Sequence, residues 1–406
     1  MRAPSETPSP WIPPRWRRWA ALALLVAALG LYIPRFAANA APPQFDQRLF
    51  VTQVFAPDHY PALTDGISAF LLAGTYNRLA GHSFDADLIT ADTFLKSSAA
   101  ALFLVAGYLL FTAIPRPRQG GTALLCLALI LTTRFPFGWL STEVFAGAFL
   151  MLALWSYTRG LPLALTGVFL ALFSFSKPDL IFSGGLVAAY LVIQHGQRTG
   201  HWLRGAGIMA FIFGVLLVPA LWQHGFASGR TLLSLHQHYA VAVARHQITD
   251  PAPDPWAETH RYSDPLWGQH ANPFAAIRAN PRLYYDYLWL SVGNTAYNIA
   301  ASGVVWLGLA WAYALWRLQR RDVLIITGLL LLGILPITAF SFMHTRYLTR
   351  FYPLLLWAVY LYAAENEAPD RRDQALSIYL LGLLVFQLWR LPPVVEDALW
   401  HQTTVL

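Results

Sequence analysis

Long apolar blocks, separated by short stretches rich in Arg, Pro and Gly, constrain this chain more than any other feature. A helix needs roughly 20 consecutive apolar residues to cross the hydrocarbon core of a bilayer, and most of the blocks approach that length. Hydrophobic residues make up 56% of the 406 residues and charged residues only 12%, whereas soluble domains carry about twice that charge. The pattern predicts an all-α polytopic integral membrane protein.

The positions of the blocks divide the chain into one membrane domain between two tails. Residues 1–18 are basic and rich in Pro and are predicted to form a cytoplasmic tail. Residues 19–391 are predicted to form a single domain of about eleven transmembrane helices, with long outer loops at about 37–92 and 223–291. Apolar residues at helical spacing predict an interfacial helix within the first loop. Residues 392–406 would form an outer tail.

The loops between the blocks predict the orientation in the membrane. If the amino terminus is cytoplasmic, every short inner loop carries arginine, as the positive-inside rule requires. Both long polar loops then lie on the extracytoplasmic side. These arginines are Arg116, Arg118, Arg159, Arg198, Arg204, Arg317, Arg320, Arg321, Arg371 and Arg372. An alternative is that the first apolar block, which follows three arginines and precedes small residues, is a cleaved signal peptide. We prefer a retained helix.

Several functional classes are disfavoured by what the sequence lacks. The one cysteine, Cys126, lies in an apolar block, so the chain can form no internal disulfide. The arginines are spread over membrane loops, which indicates orientation and anionic lipid rather than nucleic acid. No glycine-rich phosphate loop is present, so a cytosolic nucleotide-sugar site is unsupported. The sequence shows no internal repeat and no inverted pair of broken helices, which disfavours a secondary transporter. Charges in the middle of the blocks are scarce, which disfavours a proton or ion pump.

Two acids open the first predicted outer loop. Asp46 and Asp58 follow the first apolar block closely, and a carboxylate held near lipid is a candidate functional group because burying it there is expensive. The alternative is that both are ordinary solvated loop residues. A neighbouring histidine, His59, could join Asp58 in ligating a divalent metal, so the cofactor stays open.

Cations at the predicted outer boundary are the second signal, because the inward bias of positive charge does not explain them. An anionic lipid headgroup would explain them, since Arg and Lys bind phosphate oxygens. The alternatives are snorkelling of Arg346 and Arg350 to the interface, pairing of Lys177 with Asp179, and a helix-terminal role for Glu143. The residues concerned are Arg134, Glu143, Lys177, His344, Arg346 and Arg350.

These features together resemble the GT-C class of membrane glycosyltransferases, which use sugars linked to polyprenyl phosphate. The resemblance consists of an acid soon after the first helix, an interfacial helix, an Arg ahead of a Ser-Thr-Glu helix, a Ser-Lys-Pro turn and a late His-x-Arg-Tyr motif. It implies that Asp46 is the catalytic base, with Asp58 a less certain partner, and that Lys177 and Arg346 contact the lipid phosphate. Many relatives have a second acid directly after the first, whereas Gln47 follows Asp46 here.

The resemblance implies transfer of a monosaccharide from a polyprenyl phosphate to an acceptor hydroxyl, with inversion, at the outer face of a bacterial inner membrane. The expected partners are the lipid-linked sugar and a saccharide, lipid or protein acceptor. Two alternatives stay open. One is a non-catalytic protein, such as a transporter of lipid-linked saccharides or a scaffold of envelope assembly. The other is a polysaccharide polymerase or ligase that uses a lipid pyrophosphate.

Overall fold

The computed structural model describes residues 14–38, 88–115, 117–133, 141–224, 273–301, 304–340, 348–366 and 371–389. Within these ranges the chain forms helices and short turns and no strand, so the predicted all-α class is confirmed there. In chain order the helices are α1 (Pro14–Ala38), α2 (Leu88–Phe111), α3 (Gly120–Leu131), α4 (Ser141–Thr158), α5 (Leu163–Ser174), α6 (Pro178–Thr199), α7 (Trp202–His224), α8 (Pro273–Ala279), α9 (Pro281–Ala301), α10 (Val304–Leu318), α11 (Arg321–Leu331), α12 (Ile334–Phe340), α13 (Tyr352–Glu365) and α14 (Arg371–Trp389), with a 3₁₀ turn at Thr349–Phe351.

Several helices are long and apolar enough to cross a membrane. Four such spans lie within the described residues, and the number rises to five if α9 and α10, which meet at 77°, form one broken span. Four shorter apolar helices accompany them. Large apolar side chains such as Leu203, Phe211 and Trp389 are exposed on the outside, as expected of helices that face lipid. The predicted number of about eleven spans is not reached by these criteria and stays a prediction. The four spans are Trp16–Arg35, Asp92–Phe111, Leu180–Thr199 and Arg321–Phe340.

Some helices begin inside segments that the sequence predicted to be tail or loop. α1 starts at Pro14, within the predicted tail of residues 1–18, and α2 starts at Leu88, within the first predicted loop. α8 and α9 start at Pro273 and Pro281, within the second predicted loop. Proline suits the first position of a helix because its missing N–H would have no partner there. Hydrophobicity alone therefore placed these helix starts too late.

The centre of the molecule is α13. All residues from Pro353 to Ala364 are buried, and the helix packs against α3, α4 and α10. A helix without a polar face must be surrounded on all sides. Its Trp357 indole donates a 2.9 Å hydrogen bond to Thr158 at the end of α4, which satisfies the indole N–H in the interior.

Gly147 lets α2 and α4 pack closely, and the contacts at Gly147 and Gly107 show their register. A Cβ at Gly147 would lie 2.8 Å from the Phe103 ring, and a Cβ at Gly107 would lie 3.6 Å from the Met151 sulfur. Both contacts advance by one turn in the same direction, so the two helices run parallel. The amino-terminal ends of α2 and α4 therefore lie at the same end of the helix bundle.

Arginines of the short loops gather at the other end of the bundle, which we call the arginine-rich end. Arg17 donates a 2.9 Å hydrogen bond to the Pro117 carbonyl, and Arg159 donates one of 3.0 Å to the Ala113 carbonyl. The backbone N–H of Arg118 donates to the Ala364 carbonyl at the end of α13. These contacts tie together the start of α1, the loop before α3 and the ends of α4 and α13. The grouping agrees with the predicted assignment of these loops to one side of the membrane.

Candidate functional site

An ion pair joins two of the predicted site residues. The Lys177 ammonium lies 2.6 Å from Oε1 of Glu143, and the two side chains are only 16% and 8% exposed. Glu143 belongs to the first turn of α4, whereas Lys177 lies directly before α6. The structure therefore gives Lys177 a carboxylate partner distant in sequence, and Glu143 does more than favour the start of its helix.

The local sequence explains how Lys177 reaches α4. Proline disfavours helical backbone at the residue before it, and Lys177, which precedes Pro178, is extended at φ −153° and ψ 146°. The Ser176 hydroxyl donates a 2.7 Å hydrogen bond to the Leu172 carbonyl, which closes the end of α5. The chain thus turns sharply between α5 and α6, and Lys177 stands at the N-cap of α6.

Arg350 lies in the interior. It belongs to the 3₁₀ turn before α13, it is fully buried, and its Cα would lie 3.6 Å from a Cβ at Gly147. Its guanidinium carbon lies 5.2 Å from the centre of the Phe351 ring, within the range of a cation–π contact. A side chain enclosed by protein does not reach the membrane surface, so the snorkelling alternative does not hold for Arg350.

A second buried ion pair was missed by the sequence analysis. The Lys96 ammonium lies 2.5 Å from Oδ2 of Asp92, one turn earlier in α2, and the two side chains are 11% and 3% exposed. The apolar pattern predicts that this span begins after Asp92. Acid and lysine four residues apart usually mark an exposed helix surface. The available signal was that the chain has only two lysines and that both adjoin apolar blocks.

The register of α2 and α4 places both ion pairs at the same end of the bundle. Glu143 precedes Gly147 by one turn, about 6 Å, and Lys96 precedes Phe103 by about 10 Å along α2. Both therefore lie on the amino-terminal side of the contact with Arg350, away from the arginine-rich end. We call Asp92, Lys96, Glu143, Lys177 and Arg350 the buried charged group.

One ion pair of the buried charged group lies where α4 and α6 begin, and the other lies near the start of α2. Helix amino termini carry a partial positive charge, so this end of the bundle suits an anion. Asp46, Asp58, His59, Arg134, His344 and Arg346 lie outside the described residues. Of the predicted site residues, the structure thus pairs Glu143 with Lys177, and it places Arg350 against α4 at Gly147, one turn from Glu143.

Two further observations bear on the assignment. Within the described ranges, no group of three or more His, Cys, Asp or Glu side chains could hold a metal ion. No family model, curated protein or solved structure matches the chain.

Proposed function

We propose that the protein is a membrane glycosyltransferase. It would transfer a monosaccharide from a polyprenyl phosphate to an acceptor hydroxyl at the extracytoplasmic face of a bacterial inner membrane, with inversion at the anomeric carbon. In this proposal about eleven helices span the membrane, the amino terminus is cytoplasmic, and the buried charged group lies at the outer end.

The observation that carries the proposal is the burial of Lys177 and Arg350 at one end of the bundle. Lysine and arginine are rarely buried without a reason in a membrane domain, and such residues mark functional sites. Glu143 compensates the charge of Lys177 at 2.6 Å. A phosphate that arrives from the bilayer would compete with Glu143 for the ammonium, and the start of α6 would favour the incoming anion.

The proposed reaction is a single displacement. Asp46 accepts the proton of the acceptor hydroxyl, and the hydroxyl oxygen attacks the anomeric carbon as the bond to the phosphate oxygen breaks. The electron pair of that bond leaves with the polyprenyl phosphate. Lys177, Arg346 and Arg350, with His344, stabilise the departing phosphate by charge and hydrogen bonding. Asp58 and Arg134 would support the site from the outer loops, and Glu143 would orient Lys177.

The first test measures cleavage of the donor. Purified protein is incubated with a radiolabelled polyprenyl-phosphate sugar and with candidate acceptors, and free polyprenyl phosphate is separated from donor by thin-layer chromatography. Removing a general base costs about 10²–10⁴ in rate, so Asp46→Asn should nearly abolish release. The control Asp85→Asn removes another carboxylate of the same predicted loop and should keep near-normal turnover. A variant Asp46→Asn that keeps more than about a tenth of the activity contradicts the role of Asp46 as general base.

One observation favours the transporter alternative. Helices α9 and α10 meet at 77°, and interrupted helices are typical of transporters, where they surround a substrate. A transporter would move the lipid-linked saccharide across a vesicle membrane without producing free polyprenyl phosphate. A polymerase or ligase would instead consume a pyrophosphate-linked donor. Repeating the assay with a pyrophosphate-linked donor beside the monophosphate-linked one separates all three, because each consumes a different donor or none.

A further inference from the structure

A cavity lies at the arginine-rich end, far from the buried charged group. It has a volume of about 280 Å³ and is enclosed by the ends of α4, α5, α6, α11 and α13. Helix α6 runs from Lys177 at one end to Arg198, which lines the cavity, at the other. These residues are separated by about 31 Å along the helix, close to the thickness of the hydrocarbon core. The cavity is therefore a separate site at the opposite membrane surface.

The cationic side chains of the cavity are not equivalent. Arg320 is held by two carboxylates, with nitrogens 2.5 Å from Asp322 and 2.5 Å from Glu365. Hydrogen bonding to Asp322 raises the pKa of the Arg320 guanidinium above its ordinary value. Its charge is thus already balanced. Arg198 lines the cavity, is exposed to solvent and forms no ion pair within the described residues. Its charge is available to a ligand.

His195 and Arg198 lie three residues apart in α6, so they share one face of the helix. The wall beneath them is fixed by hydrogen bonds. Gln194 donates to the Tyr190 hydroxyl at 2.7 Å, and the Tyr157 hydroxyl donates to Asp322 at 2.7 Å. A guanidinium and a neighbouring imidazole above a hydrogen-bonded wall can both contact a phosphate oxygen.

The rest of the lining combines polar side chains, Thr158, Thr166, Thr199 and Glu365, with an apolar part. Leucines at positions 161, 163, 191 and 361 and the Trp357 ring border the same cavity. A small phosphate ester from solution would gain no binding free energy from these apolar side chains. A lipid would contact both the charged and the apolar parts of the cavity, because its phosphate could reach Arg198 while its glycerol and first methylenes contact the leucines. Basic pockets between helices at the cytoplasmic surface are where anionic headgroups bind.

We propose that this cavity binds the phosphate ester of an anionic phospholipid headgroup, with Arg198 as its charged contact. The site is independent of the transferase proposal, since it involves none of its residues. It would fix the arginine-rich end of the bundle to the lipid surface.

The test counts bound lipid on the purified full-length protein by native mass spectrometry, with phosphatidylglycerol as the probe and phosphatidylcholine as the reference lipid. A charged hydrogen bond contributes enough that Arg198→Gln should weaken phosphatidylglycerol binding by about tenfold. The matched control is Arg204→Gln, since Arg204 is an exposed arginine in α7 that does not line the cavity. This variant should bind lipid as the wild type does. Equal binding by Arg198→Gln and wild type, or equal losses in the two variants, overturns the proposal, because the effect would then be absent or due to overall charge.

Two further experiments test where the lipid binds and whether a lipid or a soluble ester supplies the phosphate. Leu161→Trp should fill the cavity without changing its charge, so a correctly folded variant should also lose phosphatidylglycerol. Undiminished binding by that variant places the lipid elsewhere and overturns the proposal. Excess glycerol 3-phosphate should leave the lipid bound, because it lacks the apolar contacts. Displacement by that compound would contradict the lipid as the source of the phosphate.

Discussion

Glu143 and Lys177 form a largely buried ion pair, and the interaction energy between them can be measured. Removing one member of a buried ion pair leaves an uncompensated charge, which costs about 3–5 kcal/mol. We expect Glu143→Gln and Lys177→Gln each to lower the free energy of unfolding in detergent by an amount of that order. The double variant should be destabilised by clearly less than the two losses together. Additive losses would mean that the two side chains do not depend on each other. Asp286→Asn, at an exposed position of α9, is the control and should change little.

The turnover number kcat gives an independent test of the role of Lys177. If Lys177 stabilises the departing phosphate, Lys177→Gln should lower kcat by about 10²–10³, as removal of other electrostatic stabilisers does. The exposed Arg204 is again a suitable control, and Arg204→Gln should not change kcat. A loss in kcat that can be reversed by stabilising the fold alone, for example at lower temperature, would assign Lys177 a structural role only.

The residue types of the site could be predicted from sequence, but their pairing could not. Lys177 and Glu143 stood out because they are charged residues beside apolar blocks. They are 34 residues apart, however, and nothing in the sequence states that the α5–α6 turn points toward α4. The pair Asp92 and Lys96 was missed for a different reason, since its spacing is that of an ordinary surface pair. Burial is what distinguishes it, and burial depends on tertiary packing.

At the scale of helices, the contact between α5 and α6 depends on one glycine of an adjacent pair. A Cβ at Gly184 would lie 1.8 Å from the Ser174 hydroxyl and 2.9 Å from its Cβ, whereas a Cβ at Gly185 would meet nothing within 4 Å. Gly184→Ala should therefore destabilise the protein by about 1–3 kcal/mol through overpacking. Gly185→Ala should be neutral or stabilising by up to about 1 kcal/mol, because alanine favours helix. Thermal unfolding of the two variants tests the difference, and equal midpoints would contradict this packing.

The presence of a helix could be predicted wherever an apolar run is long, whereas the first residue of a helix was harder to predict. The runs within α1, α2 and α6 were identified because length and hydropathy suffice there. The starts of α8 and α9 fall in a polar segment, where Pro273 and Pro281 are stronger signals than hydropathy. The starts of α8 and α9 can therefore be predicted from these prolines more closely than from hydropathy.

For the whole molecule, the testable question is which end faces the cytoplasm. Cys126 is buried and is the only cysteine, so Cys126→Ser gives a background without thiols. Single cysteines can then be introduced by Thr90→Cys at the end that holds the buried charged group and by His201→Cys at the arginine-rich end; both positions are exposed. In intact cells, a membrane-impermeant maleimide should label only the first, because arginine-bearing loops stay inside. Labelling of His201→Cys alone would reverse the proposed orientation.

Both lysines of the chain are held in the interior by carboxylates. In the folded protein, amine-directed reagents should therefore find few reactive ε-amino groups, and acylation of Lys96 or Lys177 should require a local opening of the bundle. The rate of that acylation, followed by peptide mapping, would report how often the end that holds the buried charged group opens. A ligand that closes this end should lower the acylation rate of Lys177 more than that of Lys96.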